Sequence, residues 1–109
     1  MCEVLNIKNK TIKILGHNYN IVIQKDYIIE TDGETGKCNN YNNTIYIAEE
    51  QPESAKRDVL LHEIIEAINY RLELNLEHHQ ICALGEVLNQ VLAENAIFAT
   101  LKSNFPHPK

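Results

Sequence analysis

Basic clusters, paired cysteines and long apolar runs are all missing from this 109-residue chain. Each absence closes a class of function. No stretch approaches the roughly 20 consecutive apolar residues that span a bilayer, so no membrane segment is expected. The opening residues MCEVLNIKNK lack the basic-then-apolar order of a secretory signal, and a cytoplasmic location is the expectation. The cysteines, Cys2, Cys38 and Cys82, are three and widely spread. An odd, scattered set does not make a disulfide framework and suits a reducing compartment. Without a Cys-x-x-Cys pair, a structural zinc knuckle is not expected either. Lysine and arginine total 10 against 15 aspartates and glutamates, for a net charge of -5. They are scattered, so the phosphate-neutralising patch of a nucleic-acid binder is missing.

Repeats and long linkers are absent too. With 44% hydrophobic residues, the chain can build one modest core. We expect a single domain over residues 1–102 and a tail over 103–109, SNFPHPK, where two prolines favour fraying.

The first half reads as strands. TIKILG (Thr11–Gly16) and YNIVIQ (Tyr19–Gln24) are rich in β-branched residues, with Gly16-His17-Asn18 as turn chemistry between them. Tyr27–Glu30 is read as a continuation of the sheet. TDGETGKCNNYNN then reads as a loop, and TIYIA (Thr44–Ala48) as a short strand.

From Gln51 the period becomes helical. Pro52 suits a first turn and Glu53 the positive end of the helix dipole. Leu61, Ile64, Ile65, Ile68 and Leu72 form one apolar stripe. ELNLE (73–77) breaks it. A second helix carries Ile81, Leu84, Leu88, Val91 and Leu92 on one face and runs to about Leu101. The fold class implied is α+β: a small, mostly antiparallel sheet packed against two or three helices.

Chemistry gathers in LLHEIIEAIN. His62 and Glu66, four apart, lie on one face of a helix and can grip a single cation. Glu63 points about 100° away from His62, where a base beside a metal-activated water belongs. This is the logic of His-Glu-x-x-His with glutamate in place of the second histidine. Carboxylate oxygen remains a proper zinc ligand. His62, Glu66, Asn69 and Glu73 fall within roughly 60° of one another, beside the apolar stripe. The same pattern also occurs on the solvated flank of any amphipathic helix.

A third ligand is needed. His78 and His79 sit where the next helix starts. On the wheel His78 lies about 90° from the centre of that helix's stripe and His79 about 170°, so His78 is preferred. Cys82 is one turn beyond His78, although a lone cysteine is more often a small buried apolar residue. Glu86 is a weaker candidate for a ligand or for a partner behind one, and is read first as a residue of the solvated face. His17, in a turn, and His107, in the tail, are read as solvated. Tyr46 is read as a cross-strand packing residue that can also face a cleft.

On these segments the chain resembles the small zincin-like metallopeptidase relatives of the ImmA/IrrE and SprT type, often encoded by phages and mobile elements. The hairpin TIKILGHNYNIVIQ, the turn ETGKCNN, the strand TIYIA, the helix from PESAKRD into LLHEIIEAIN and the helix from LEHHQI through LGEVLNQVLAEN carry the resemblance. It implies a Zn2+ site in which His62 is the first ligand and Glu63 the catalytic base. Glu66 stands at the second histidine's place and His78 near the third ligand's. It also implies that Thr44–Ala48 lines the cleft and pairs with an extended peptide. A peptide or protein is then the expected substrate. The alternative is a non-catalytic binding or inhibitory module on the same scaffold, with a host or defence factor as partner. No Tyr, His or Arg stands out to stabilise an oxyanion, and 109 residues leave little for a lid.

Overall fold

The structure, a computed structural model, describes residues 10–95. A β-hairpin opens it. Strands β1 (Thr11–Ile14) and β2 (His17–Gln24) pair antiparallel with Ile14 opposite His17. The loop is therefore the two residues Leu15 and Gly16, both at positive φ, 50° and 84°. Two consecutive left-handed residues match the right-handed twist of paired strands, so the turn falls one residue earlier than its Gly-His-Asn chemistry suggests. His17 and Asn18 belong to the strand and are exposed.

Tyr27–Glu30 is a single helical turn, α1, not a continuation of the sheet. Asp26 adopts φ 59° and swings the chain away from β2. The Glu50 carboxylate then accepts the backbone N–H groups of Asp26 and Ile28 at 2.8 and 3.0 Å, satisfying donors that open a helical turn. The expected loop after it contains a strand, β3 (Gly36–Asn39), which pairs antiparallel with β4 (Thr44–Ala48). Gly-Lys-Cys-Asn has little intrinsic strand preference, and pairing with TIYIA overrides it.

The sheet order is β1-β2-β4-β3, with β2 and β4 parallel and the other two pairs antiparallel. The fold is α+β, with a mixed four-stranded sheet. Its topology overturns one expectation directly. Thr44–Ala48 is an interior strand, paired on both sides, and has no free edge for an incoming chain. The strand beside the cleft with an open edge is β3.

Helix α2 (Glu53–Leu72) packs over the sheet, and α3 (His78–Glu94) packs on α2. The break at 73–77 is real. Glu73 and Asn75 take φ 51° and 59°, and the Asn69 carboxamide oxygen accepts the Leu76 N–H at 2.9 Å. The side chains of Asp58 and Asn89 meet at one end of the helix pair, and those of His62 and Cys82 come together nearer the other. The two helices therefore run antiparallel. α3 is described to Glu94, with Asn95 as its cap. Its expected extension to Leu101, and the tail, lie outside the described residues, as do Cys2 and His107.

The core is Ile14, Tyr19, Ile21, Ile45, Ile47 and Ala67, with Val59, Leu60, Ile64 and Ile68 packed around it. The buried arc of α2 keeps Ile64, Ile65 and Ile68 of the expected apolar stripe but is rotated away from its Leu72 end. Leu72 is half exposed, whereas Glu63 is buried with Ile65 and Ala67. On α3 only Ile81 and Gly85 are buried, and Leu84, Leu88 and Leu92 are exposed among the described residues. α2 forms the layer over the sheet, and α3 packs mainly on α2.

Candidate metal centre

Three donors converge between the two helices. The Sγ of Cys82 lies 3.8 Å from Nδ1 of His62 and 3.4 Å from Nε2 of His78. One ligand atom from each of His62, His78 and Cys82 falls within 4.8 Å of the others, the spacing at which one ion can bind all three. The imidazole rings of His62 and His78 meet edge to face, with centroids 5.3 Å apart. Two imidazoles and a thiol are a ligand set suited to a borderline-soft divalent ion. These residues fit a metal, and the site can hold one.

The local sequence explains the convergence. His78 and Cys82 are one helical turn apart, so both look the same way along α3. Glu77 and Gln80 form a reciprocal capping box, with the Glu77 N–H donating to Gln80 Oε1 at 2.8 Å, and this fixes the first turn that carries His78. Gly85 sits at the crossing: a Cβ there would stand 3.5 Å from the His62 backbone nitrogen. A larger side chain would prise the helices apart at the cluster.

Each expected site residue has a definite place. His62 and His78 meet as anticipated. His79 is exposed and outside the group. Glu66 touches His62 from its other ring nitrogen, with Oε2 at 3.7 Å from Nε2, and does not join the three-donor group. Cys82, ranked low on sequence, joins it. The signal for it was the four-residue spacing from His78, the same rule that linked His62 to Glu66. Glu86 lines the adjoining cleft. Tyr46 does not, and instead stacks on Tyr27 with ring centroids 6.3 Å apart.

Glu63 sits at the floor of the cleft, 8% exposed. Burial pushes its carboxyl up to about 7, and the neighbouring Glu66 and Glu34 add to the rise. The Cys38 backbone N–H, which donates to the carboxylate, opposes it. That contact is dictated by strand register. Ala48 N–H donates to Thr35 O at 2.9 Å, so the backbone groups of Lys37 and Asn39 face β4 while those of Gly36 and Cys38 face outward. The open edge of β3 thus meets Glu63. Gly36 permits the approach: a Cβ there would collide with Val59 Cγ1 and lie 2.9 Å from Tyr46 O.

The cleft has two lobes that share Gly36, His62, Glu63 and His78. The larger, about 540 Å³, extends past Glu34, Asp58 and Glu86. The smaller, about 460 Å³, extends past Lys37, Asn40, Glu66, Asn69 and Tyr70.

One half-buried polar cluster was missed on sequence. Arg71 reaches from the end of α2 to Tyr19 OH (Nε, 3.0 Å) and Asn43 Oδ1 (Nη2, 2.6 Å), and Tyr19 OH donates to Asn40 Oδ1 at 2.7 Å. It fastens α2 to the β3–β4 turn, which lies beside the smaller lobe.

Comparison with protein-family profiles, with curated proteins and with solved structures finds no match for this chain.

Proposed function

We propose that the protein is a zinc-dependent, metallopeptidase-like hydrolase in which His62, His78 and Cys82 hold the metal and Glu63 is the base. One observation carries this reading: three donor atoms converge within 4.8 Å of one another in an open cleft whose floor is the buried carboxyl of Glu63. Three protein ligands with an open position is the usual form of a catalytic zinc site, whereas structural sites are closed by four. A zinc ion held there supplies Lewis acidity, which acidifies water and polarises a carbonyl.

The remaining roles fall to the chain itself. Glu63 takes a proton from water in the cleft and returns it to the departing amine. The Cys38 N–H holds the Glu63 carboxylate in place. Glu66, at the Nε2 side of His62, orients that imidazole instead of completing the ligand set, a role carboxylates commonly play beside metal-bound histidines. The outward-facing backbone of Gly36, on the open edge of β3, offers an extended peptide its first strand-like contacts. A thiol ligand, with Cys38 and Cys82 both free, suits a reducing compartment, and we place the protein in the cytoplasm.

The test is Glu63→Gln in zinc-loaded protein, assayed on an unstructured protein substrate beside His62→Ala. General-base catalysis contributes roughly 10²–10⁴-fold. Cleavage should fall by that order in Glu63→Gln while zinc content and fold stay unchanged. A binding or inhibitory activity that survives Glu63→Gln and is lost only in His62→Ala would replace the hydrolase with a metal-braced binding module.

A further inference from the structure

The two lobes of the cleft differ in charge. The larger is bordered by the carboxylates of Glu34, Asp58 and Glu86 in addition to Glu63, and no lysine or arginine lines it. The smaller shares Glu63 and adds one carboxylate, Glu66, which is set against one cation, Lys37, beside the amides of Asn40 and Asn69 and the ring of Tyr70. The acidic groups of the larger lobe come from three separate elements: Glu34 from the loop before β3, Asp58 from α2 and Glu86 from α3. Two of them are held. Tyr27 OH donates to Glu34 Oε1 at 3.2 Å, and Asn89 Nδ2 donates to Asp58 Oδ1 at 2.6 Å. Holding them neutralises neither charge, since both donors are uncharged. A divalent ion at the His62, His78, Cys82 cluster offsets part of this field. The thiolate it would bind adds a negative charge back.

We infer that the larger lobe selects a cationic side chain, lysine or arginine, so that the substrates of this site are peptides carrying a basic residue beside the bond to be cut. The inference rests on the hydrolase reading for the cut itself, but not for the binding preference. A concave wall of one sign focuses its field into the cleft and raises the local concentration of the opposite charge. Complementary potential of this kind fixes which partner enters and in what register. An anionic residue in the same lobe meets like charges from three sides.

Two measurements separate this inference from the reading beneath it. The first is binding of fluorescein-labelled decapeptides to Glu63→Gln protein, comparing otherwise identical peptides with a central arginine, glutamine or glutamate. The arginine peptide should bind on the order of tenfold tighter than the glutamine peptide, the sum of a few partly exposed ion pairs, and the glutamate peptide weakest. The advantage should shrink in high salt. Glu34→Lys and Glu86→Lys, both at exposed positions, should remove or reverse it without unfolding the domain. The second is the pattern of cuts that zinc-loaded wild type makes in a mixed peptide library, which should cluster beside lysine and arginine. Basic-selective binding with no cuts at all upholds the acidic lobe and defeats the hydrolase. Equal binding of the three peptides, binding of none, or cuts unbiased by charge and unmoved by Glu86→Lys overturns the inference.

Discussion

His62 has a neighbour at each ring nitrogen, Cys82 on one side and Glu66 on the other. Sequence spacing reveals only the second, because both residues lie on one helix. The first requires knowing where α3 crosses α2, and a crossing leaves no periodic trace. His78 could be preferred over His79 because the apolar face of α3 orients the wheel. Cys82 shares the face of His78 by its four-residue spacing, but that sign is weak, since a lone cysteine on a helix is ordinarily a small apolar residue. Cys38 is a contrasting thiol. Burial and the nearby Glu63 and Glu66 push it up to about 12 from 9.0, with Arg71 opposing. A thiol whose folded pKa is raised stays protonated, so its native form is unreactive. At pH 9, Cys38 alkylation should be slower in the native protein than in urea by on the order of 10³-fold, following its thiolate fraction. Because folding raises this pKa, the associated stability is intact below pH 9 and is lost as pH climbs from 9 toward 12. Rapid native alkylation of Cys38 at pH 9 would show that the β3–α2 seam is open.

At the level of elements, TIKI, the core of YNIVIQ, TIYIA and both long helices were legible because each repeats an apolar pattern long enough to fix its period. The misreadings share a cause. Tyr27–Glu30 has strand-like residues, but the left-handed Asp26 and the Glu50 carboxylate redirect them. Gly36–Asn39 has none, yet becomes the edge strand because β4 offers a partner. That edge is what the site depends on, and Gly36 is its tightest point. Gly36→Ala sets a methyl against Val59 and, less forgivingly, against the Tyr46 carbonyl, which cannot rotate away. Overpacking of this sort costs about 1–3 kcal/mol. Thermal unfolding should register that loss. A wild-type melting temperature in Gly36→Ala would mean that β3 does not press on α2 as described.

For the whole molecule, a mixed sheet under one helix, with a second helix laid on the first, places the cluster where three layers of chain converge. β3 supplies the hydrogen bond to Glu63, α2 supplies His62, Glu63 and Glu66, and α3 supplies His78 and Cys82. The α+β class followed from strands preceding helices. The parallel pairing of β2 with β4 did not, because it depends on a crossover through α1 and β3 that no local pattern encodes. A metal bridging α2 and α3 would bind the folded chain in preference to the unfolded one, so loading it should stabilise the domain by up to about 2.7 kcal/mol at a hundred times the dissociation constant. The most direct test is a zinc titration of untagged, chelator-free protein, read as stoichiometry and affinity. The account predicts one zinc per chain, with binding weakened well beyond the roughly 10–100-fold of outer-partner changes in His62→Ala, His78→Ala and Cys82→Ala, and unchanged in His79→Ala. Folded protein that takes up no zinc at micromolar concentrations, or that binds it equally well without Cys82 and His78, would contradict it.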